Sequence, residues 1–123
     1  MNMAELPDLT EQTLWDIIND RLDDDTTNRL VWHYLGYRYD SDLGQWDASG
    51  VDEPWHSAYP QPPNFIESRP ATVQLTRSIP KPDKQLLKEQ LGFKGYKLDE
   101  LVPRKTRRAT IVSWLLSYMR HHP

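Results

Sequence analysis

PRKTRRATIVSWLLSYMR, residues 103–120, opens on a proline and four cations and closes on a nearly unbroken apolar run. Proline suits the first turn of a helix, where its missing N–H has no partner to lose. The spacing predicts one helix from Pro103 to about Arg120. At about 100° per residue, Ile111, Val112, Leu115, Leu116 and Met119 share a face, and Trp114 and Tyr118 widen it to roughly 200°. The opposite arc holds Thr106, Ala109, Thr110, Ser113 and Ser117. So wide an apolar arc reads as the buried centre of a small domain. The ridge Ala109, Ser113, Ser117 keeps a second reading open, close approach by a partner chain.

Upstream, ATVQLTRSI (71–79) alternates, with Val73, Leu75 and Ile79 on one side and Thr72, Gln74 and Thr76 on the other. That predicts a half-buried strand ended by Pro80 and Pro82. Asp83 to Leu91 predicts a short helix with Leu86, Leu87 and Leu91 inward. Gly92 to Gly95 reads as a turn, and residues 96–102 fit a strand or a short helix equally. Near the N-terminus, Asp8 and Glu11 form a capping-box pattern before Leu14, Ile17, Ile18 and Leu22 at helical spacing. Asp25 is placed to cap a second helix, Thr26 to Leu35, with Gly36 as a left-handed stop. The short Asp-rich connection implies an antiparallel helical hairpin. Aromatics around Asp40-Ser41-Asp42-Leu43-Gly44 predict a β-hairpin. Five prolines between Gly50 and Pro70 make that stretch an extended loop, and Trp55, Tyr59 and Phe65 give it a reason to pack on the body. The expected architecture is α+β, a single domain over 1–123: a helical hairpin, a small antiparallel sheet and a long buried C-terminal helix.

A chain of 123 residues suffices for one core. Lacking cysteine, it has no disulfide scaffold, thiolate zinc site or cysteine nucleophile. The net charge of −3 hides an uneven distribution. The acidic half, 1–67, holds 14 acids and 3 bases, and the basic half, 68–123, holds 4 acids and 12 bases. MNMAELPDL has no signal-peptide character, and the apolar run Ile111–Met119 is too short for a bilayer span of about twenty residues. The expectation is a soluble intracellular protein, or one delivered to an organelle by a presequence.

Arg104, Lys105, Arg107 and Arg108 crowd the first turns of the last helix, where the macrodipole favours anions. A broken local rule implies a compensating partner. Together with Lys94 and Lys97, this cluster is the candidate contact for an anion or a partner. Phosphates would suit the guanidinium forks, and Phe93 and Tyr96 add a basic–aromatic mixture compatible with nucleic acid. The acidic half, especially Asp23 to Asp25, offers an internal alternative, and internal or protein-partner pairing is the favoured reading. Trp32, Trp55 and Tyr96 form the candidate aromatic interface, with internal packing of Trp32 by the proline-rich loop preferred.

Residues 40–44 have only a superficial calcium-loop pattern, since a third acidic ligand is missing, the glycine falls one place early and position 51 is Val rather than the closing Glu; turn chemistry explains them. His33 and His56 lie outside any ligand-spaced pattern, and His121-His122 is at most a weak metal pair. No nucleophile elbow, phosphate loop or dinucleotide fingerprint occurs. No catalytic residue, cofactor or metal is therefore expected.

The strings VWHYLGYRYD (31–40), ESRPATVQLTRSIP (67–80), KQLLKEQLGFKGYK (84–97) and PRKTRRAT (103–110) resemble an uncharacterised domain-of-unknown-function family of cyanobacteria and plastid-bearing plants. The resemblance runs from about Leu14 to Tyr118. It implies a cyanobacterial cytoplasm or a plastid stroma and a connection with photosynthesis, and it transfers no site residue. The functional expectation is a non-catalytic protein-binding or assembly factor with a protein partner. The alternative is a nucleic-acid-binding module using the cluster at 104–108.

Overall fold

The computed structural model describes residues 6–123. Met1–Glu5, where the targeting reading and the domain begin, lie outside them. Helix α1 (Glu11–Ile18) is capped by Thr10, whose hydroxyl accepts from the Thr13 N–H at 3.2 Å. The cap therefore falls two residues beyond Asp8, which instead offers its carbonyl to the Thr13 hydroxyl at 2.7 Å. Helix α2 (Asp24–Leu35) is capped by Asp23, which accepts from the Thr26 N–H at 2.7 Å. Asp25, the expected cap, sits inside the first turn, where a carboxylate complements the helix dipole.

Gly36 ends α2 in the left-handed conformation, φ 112°. A side chain there would be strained and would also bring its Cβ within 2.5 Å of the Gly50 carbonyl oxygen. This close crossing seats the hairpin of β1 (Arg38–Asp40) and β2 (Gln45–Asp47), paired antiparallel with Tyr39 opposite Trp46. Beyond it, residues 50–68 are stitched down rather than free. They include the single-turn helix α3 (Trp55–Ala58). Trp55, Phe65 and Ile66 are buried. The Phe65 N–H donates to Asn28 at 2.9 Å, the Trp32 indole N–H to the Pro63 carbonyl at 2.7 Å, and the Tyr37 hydroxyl to the Tyr59 carbonyl at 2.6 Å.

Residues 71–79 depart from the strand expectation. Arg69–Ser78 is helix α4, capped by Ser68 with a proline in its first turn. Ala71, Thr72 and Leu75, and beyond the helix Ile79, are buried, at a helical spacing, whereas Val73 is 36% exposed. The apolar alternation was real, but the small residues Ala71 and Thr72 are buried where Val73 is not, and α4 packs on the last helix. A 3₁₀ turn (Lys81–Asp83) and the short α5 (Leu86–Glu89) divide the predicted helix at 83–91. Residues 98–100 form another 3₁₀ turn, which resolves the open segment as helical.

Helix α6 (Pro103–His121) is the long C-terminal helix. Helices α1, α4 and α5 pack on it, and α2 joins them. Ile111, Val112, Leu115 and Leu116 are buried, each contributing about 1.5–3 kcal/mol from burial. The architecture is α+β, a helical layer around α6 with one two-stranded sheet.

Candidate interaction surface

The four cations that open α6 leave the helix in three directions. Arg104 and Arg108, one turn apart, face the connection between α1 and α2. Arg104 donates to Asp20 at 2.5 Å and to Asp24 at 2.6 Å. Arg108 donates to Asp24 at 2.5 Å and to the Ile17 carbonyl at 3.0 Å, and it retains 0% exposure. Asp20 holds a left-handed backbone, φ 61°, a conformation that Asp tolerates better than most residues. The hydrogen bond from Arg104 keeps the Asp20 carboxyl below its usual range. Burial pushes Asp24 up, but hydrogen bonds from Arg108 and Arg104 outweigh it and hold that carboxyl low. The same bond to Asp20 raises Arg104. Lys105 pairs with Glu100 at 3.7 Å. Arg107 turns elsewhere, donating through one nitrogen to the Ile66 carbonyl at 2.9 Å.

The structure thus corrects the picture of one basic cluster. Arg108 is an interior residue, and Arg104 is spent on the chain's own acids. Lys94 and Lys97 are exposed and their ammonium groups form no ion pair among the described residues, although the Lys97 backbone N–H donates to the Glu100 carboxylate at 3.1 Å. The candidate aromatics also turn inward. Trp55 is buried against Phe65, and Trp32 is covered by the proline-rich segment and by Trp46. The Tyr96 hydroxyl donates to the Ile18 carbonyl at 3.1 Å, and its ring packs on Phe93. The polar handles of Trp32 and Tyr96 are satisfied within the chain and Trp55 is buried, so none of these three stands out as an exposed anchor.

A different surface lies beside Arg107. Along α4, Arg69, Thr72, Val73 and Thr76, and along α6, Pro103, Thr106, Arg107 and Thr110, line a groove of about 410 Å³, with Leu101 and Val102 also in its lining. Each set follows the spacing i, i+3, i+4, i+7, so each is one stripe of a helix. Leu98, Leu101 and Val102 are 86%, 52% and 44% exposed. With Val73 they make up four of the six exposed large apolar residues among the described residues. Scattered exposed leucines need no explanation, but a cluster beside a groove does. The sequence signal was weak, because the two walls lie some thirty residues apart and each looks ordinary alone.

At the other end of α6, Asp83 is 2% exposed and accepts from Ser117 at 2.6 Å and Arg120 at 2.9 Å. His121 Nε2 meets the same carboxylate at 2.8 Å. The hydrogen bond from Ser117 leads in keeping Asp83 below the usual carboxylate range, against the opposing effect of burial. Ser117 and His121 both address the carboxylate and not each other, so they do not form a hydroxyl–imidazole relay. His122 stacks on Tyr118, so the two terminal histidines diverge. Asp40 accepts from the N–H groups of Asp42 and Leu43, the turn chemistry expected of that loop. Among the described residues no three His, Asp or Glu side chains gather as metal ligands, and no helix is long and apolar enough to cross a membrane.

No curated protein matches the chain. A solved structure does, a solution NMR structure of a protein 54% identical to this one. It matches with a TM-score of 0.81 over 98% of both chains. The model of a domain of unknown function, DUF1823, matches residues 8–120, and the chain belongs to that family.

Proposed function

We propose that this member of the DUF1823 family is a non-catalytic protein-binding or assembly factor, and that it meets its partner at the groove between α4 and α6. The observation that carries this reading is the exposed aliphatic cluster Leu98, Leu101 and Val102 beside that groove. Burying such side chains against a partner releases water from apolar surface and supplies affinity without chemistry. Internal pairing of Arg104 and Arg108 supports the same reading, because it removes two of the cations a phosphate backbone would need. The family resemblance supports a setting in a cyanobacterial cytoplasm or plastid stroma and a connection with photosynthesis.

A nucleic-acid-binding module is the second reading. It draws on Lys94, Lys97 and Arg107, whose side chains form no ion pair among the described residues.

The test compares the intact chain with a Leu101→Ser/Val102→Ser variant. Both side chains are exposed, so the variant should melt like the parent. At physiological salt the parent should retain a defined protein in near-stoichiometric amount, and the variant should lose it. Equal recovery by both removes the groove from the reading. A salt-sensitive shift of random oligonucleotides, abolished by Lys94→Ala, Lys97→Ala and Arg107→Ala, would replace it with the second.

A further inference from the structure

The groove has a sign as well as a shape. Neither α4 nor α6 carries an acidic residue in its first turn, and the groove is lined by the first two turns of both. The two helix starts therefore add to the positive potential of two cations on its walls, Arg69 and Arg107. Neither arginine has an acidic partner among the described residues. Around α6 the stripe facing the groove lies roughly 130° from the stripe of Arg104 and Arg108. The carboxylates of Asp20 and Asp24 are thus committed on another face and do not neutralise this one.

Resting on the protein-binding reading, we infer that the groove takes an acidic amphipathic helix of a partner protein. Its apolar stripe lies on Val73, Leu101 and Val102, and its carboxylates meet Arg69 and Arg107. One nitrogen of Arg107 is held by the Ile66 carbonyl at 2.9 Å. That bond fixes the guanidinium while its other N–H groups have no partner among the described residues. A fork ordered before binding loses less entropy when a carboxylate arrives. Two helical walls with matching i, i+3, i+4, i+7 stripes form the kind of groove into which a third helix packs.

Other occupants fit less well. The lining contains no aromatic ring, so nucleic-acid bases would find no stacking platform there. A second folded copy has an acidic helix in α1, but the apolar face of that helix, Leu14, Ile17 and Ile18, is already buried.

The test selects displayed random peptides of about 16 residues, between four and five helical turns, on the intact chain. Clones that also bind Leu101→Ser/Val102→Ser are discarded. The surviving pool should be rich in Asp and Glu, with Leu, Ile or Phe at helical spacing. A synthetic copy of an enriched clone should bind about tenfold more weakly, or worse, to Arg69→Gln/Arg107→Gln, equivalent to about 1.4 kcal/mol. It should also weaken as salt screens the charges. A groove-dependent pool that is basic or without charge bias overturns the acidic occupant and leaves the protein-binding reading standing. A pool with no groove-dependent clones overturns both. Binding of an oligouridine at the groove, lost in the same arginine variant, overturns the inference in favour of RNA.

Discussion

The two ends of α6 are fastened by opposite arrangements. At its start the cation is interior and its counter-charges are accessible: Arg108 has 0% side-chain exposure, Asp20 39% and Asp24 37%. At its end the acid is interior and the cations accessible: Asp83 has 2%, Arg120 51% and His121 54%. The contrast matters because a guanidinium cannot shed its charge, whereas a carboxylate protonates. An interior arginine that loses its partners has no escape. An interior aspartate that loses one of its three donors has one.

The largest effect is expected from stranding the interior cation. Asp20→Asn/Asp24→Asn should lower stability by about 3 kcal/mol, the low end for an unpaired buried charge because both carboxylates are partly exposed. Urea unfolding measures it, and a loss below about 1 kcal/mol would break the contrast. Removing the interior cation itself should cost less. Arg108→Met keeps the aliphatic packing and lets Asp20 and Asp24 rehydrate beside Arg104, for a loss of about 1–2 kcal/mol. If the methionine variant proves less stable than the double asparagine variant, interior position is not what ranks these residues.

Acid sensitivity sharpens the same contrast. Asp20, Asp24 and Asp83 all titrate below their ordinary value in the folded chain. They bind protons more readily when unfolded, so their contribution is full at neutral pH. It is lost as pH falls below about 4 through the depressed values. The double asparagine variant should show a shallower decline in that window, followed as unfolding free energy against pH. The smallest effect at neutral pH is expected from Arg120→Ala, an exposed member of the Asp83 set. Its melting temperature should barely move at pH 7. The Asp83 carboxyl, observed by carbon NMR, should titrate at higher pH than in the parent. An unchanged Asp83 titration would show that Ser117 and His121 hold the carboxylate without Arg120.

Much of this was legible from residues acting locally. Gly36 and Pro103 stop and start helices through their own backbone preferences, and both do so here. The hairpin followed from aromatics flanking a turn sequence, and Tyr39 indeed faces Trp46. Residues 71–79 satisfied two periods at once, and hydropathy weighs Val73 above Ala71. The buried face of α4 has the opposite order, with the smaller side chain inside. The cations at 104–108 announced a compensating partner, but Arg107 lies only about 60° from Arg104 around α6, so their angles alone did not divide the cluster. Which neighbour each angle would meet depended on the connection at 19–23 and on α4, about 80 and 30 residues away along the chain. The groove was illegible for the same reason, since it belongs to neither helix alone.

Helix α6 is the centre of the core and is synthesised after the helices that pack on it. A growing chain therefore presents Asp20 and Asp24 long before Arg104 and Arg108 exist. The apolar faces of α1 and α4 likewise wait for their platform. Until residues 103–121 have left the ribosome, those faces expose apolar surface that favours aggregation. The nineteen-residue α6 is in this way the keystone for the helices made before it.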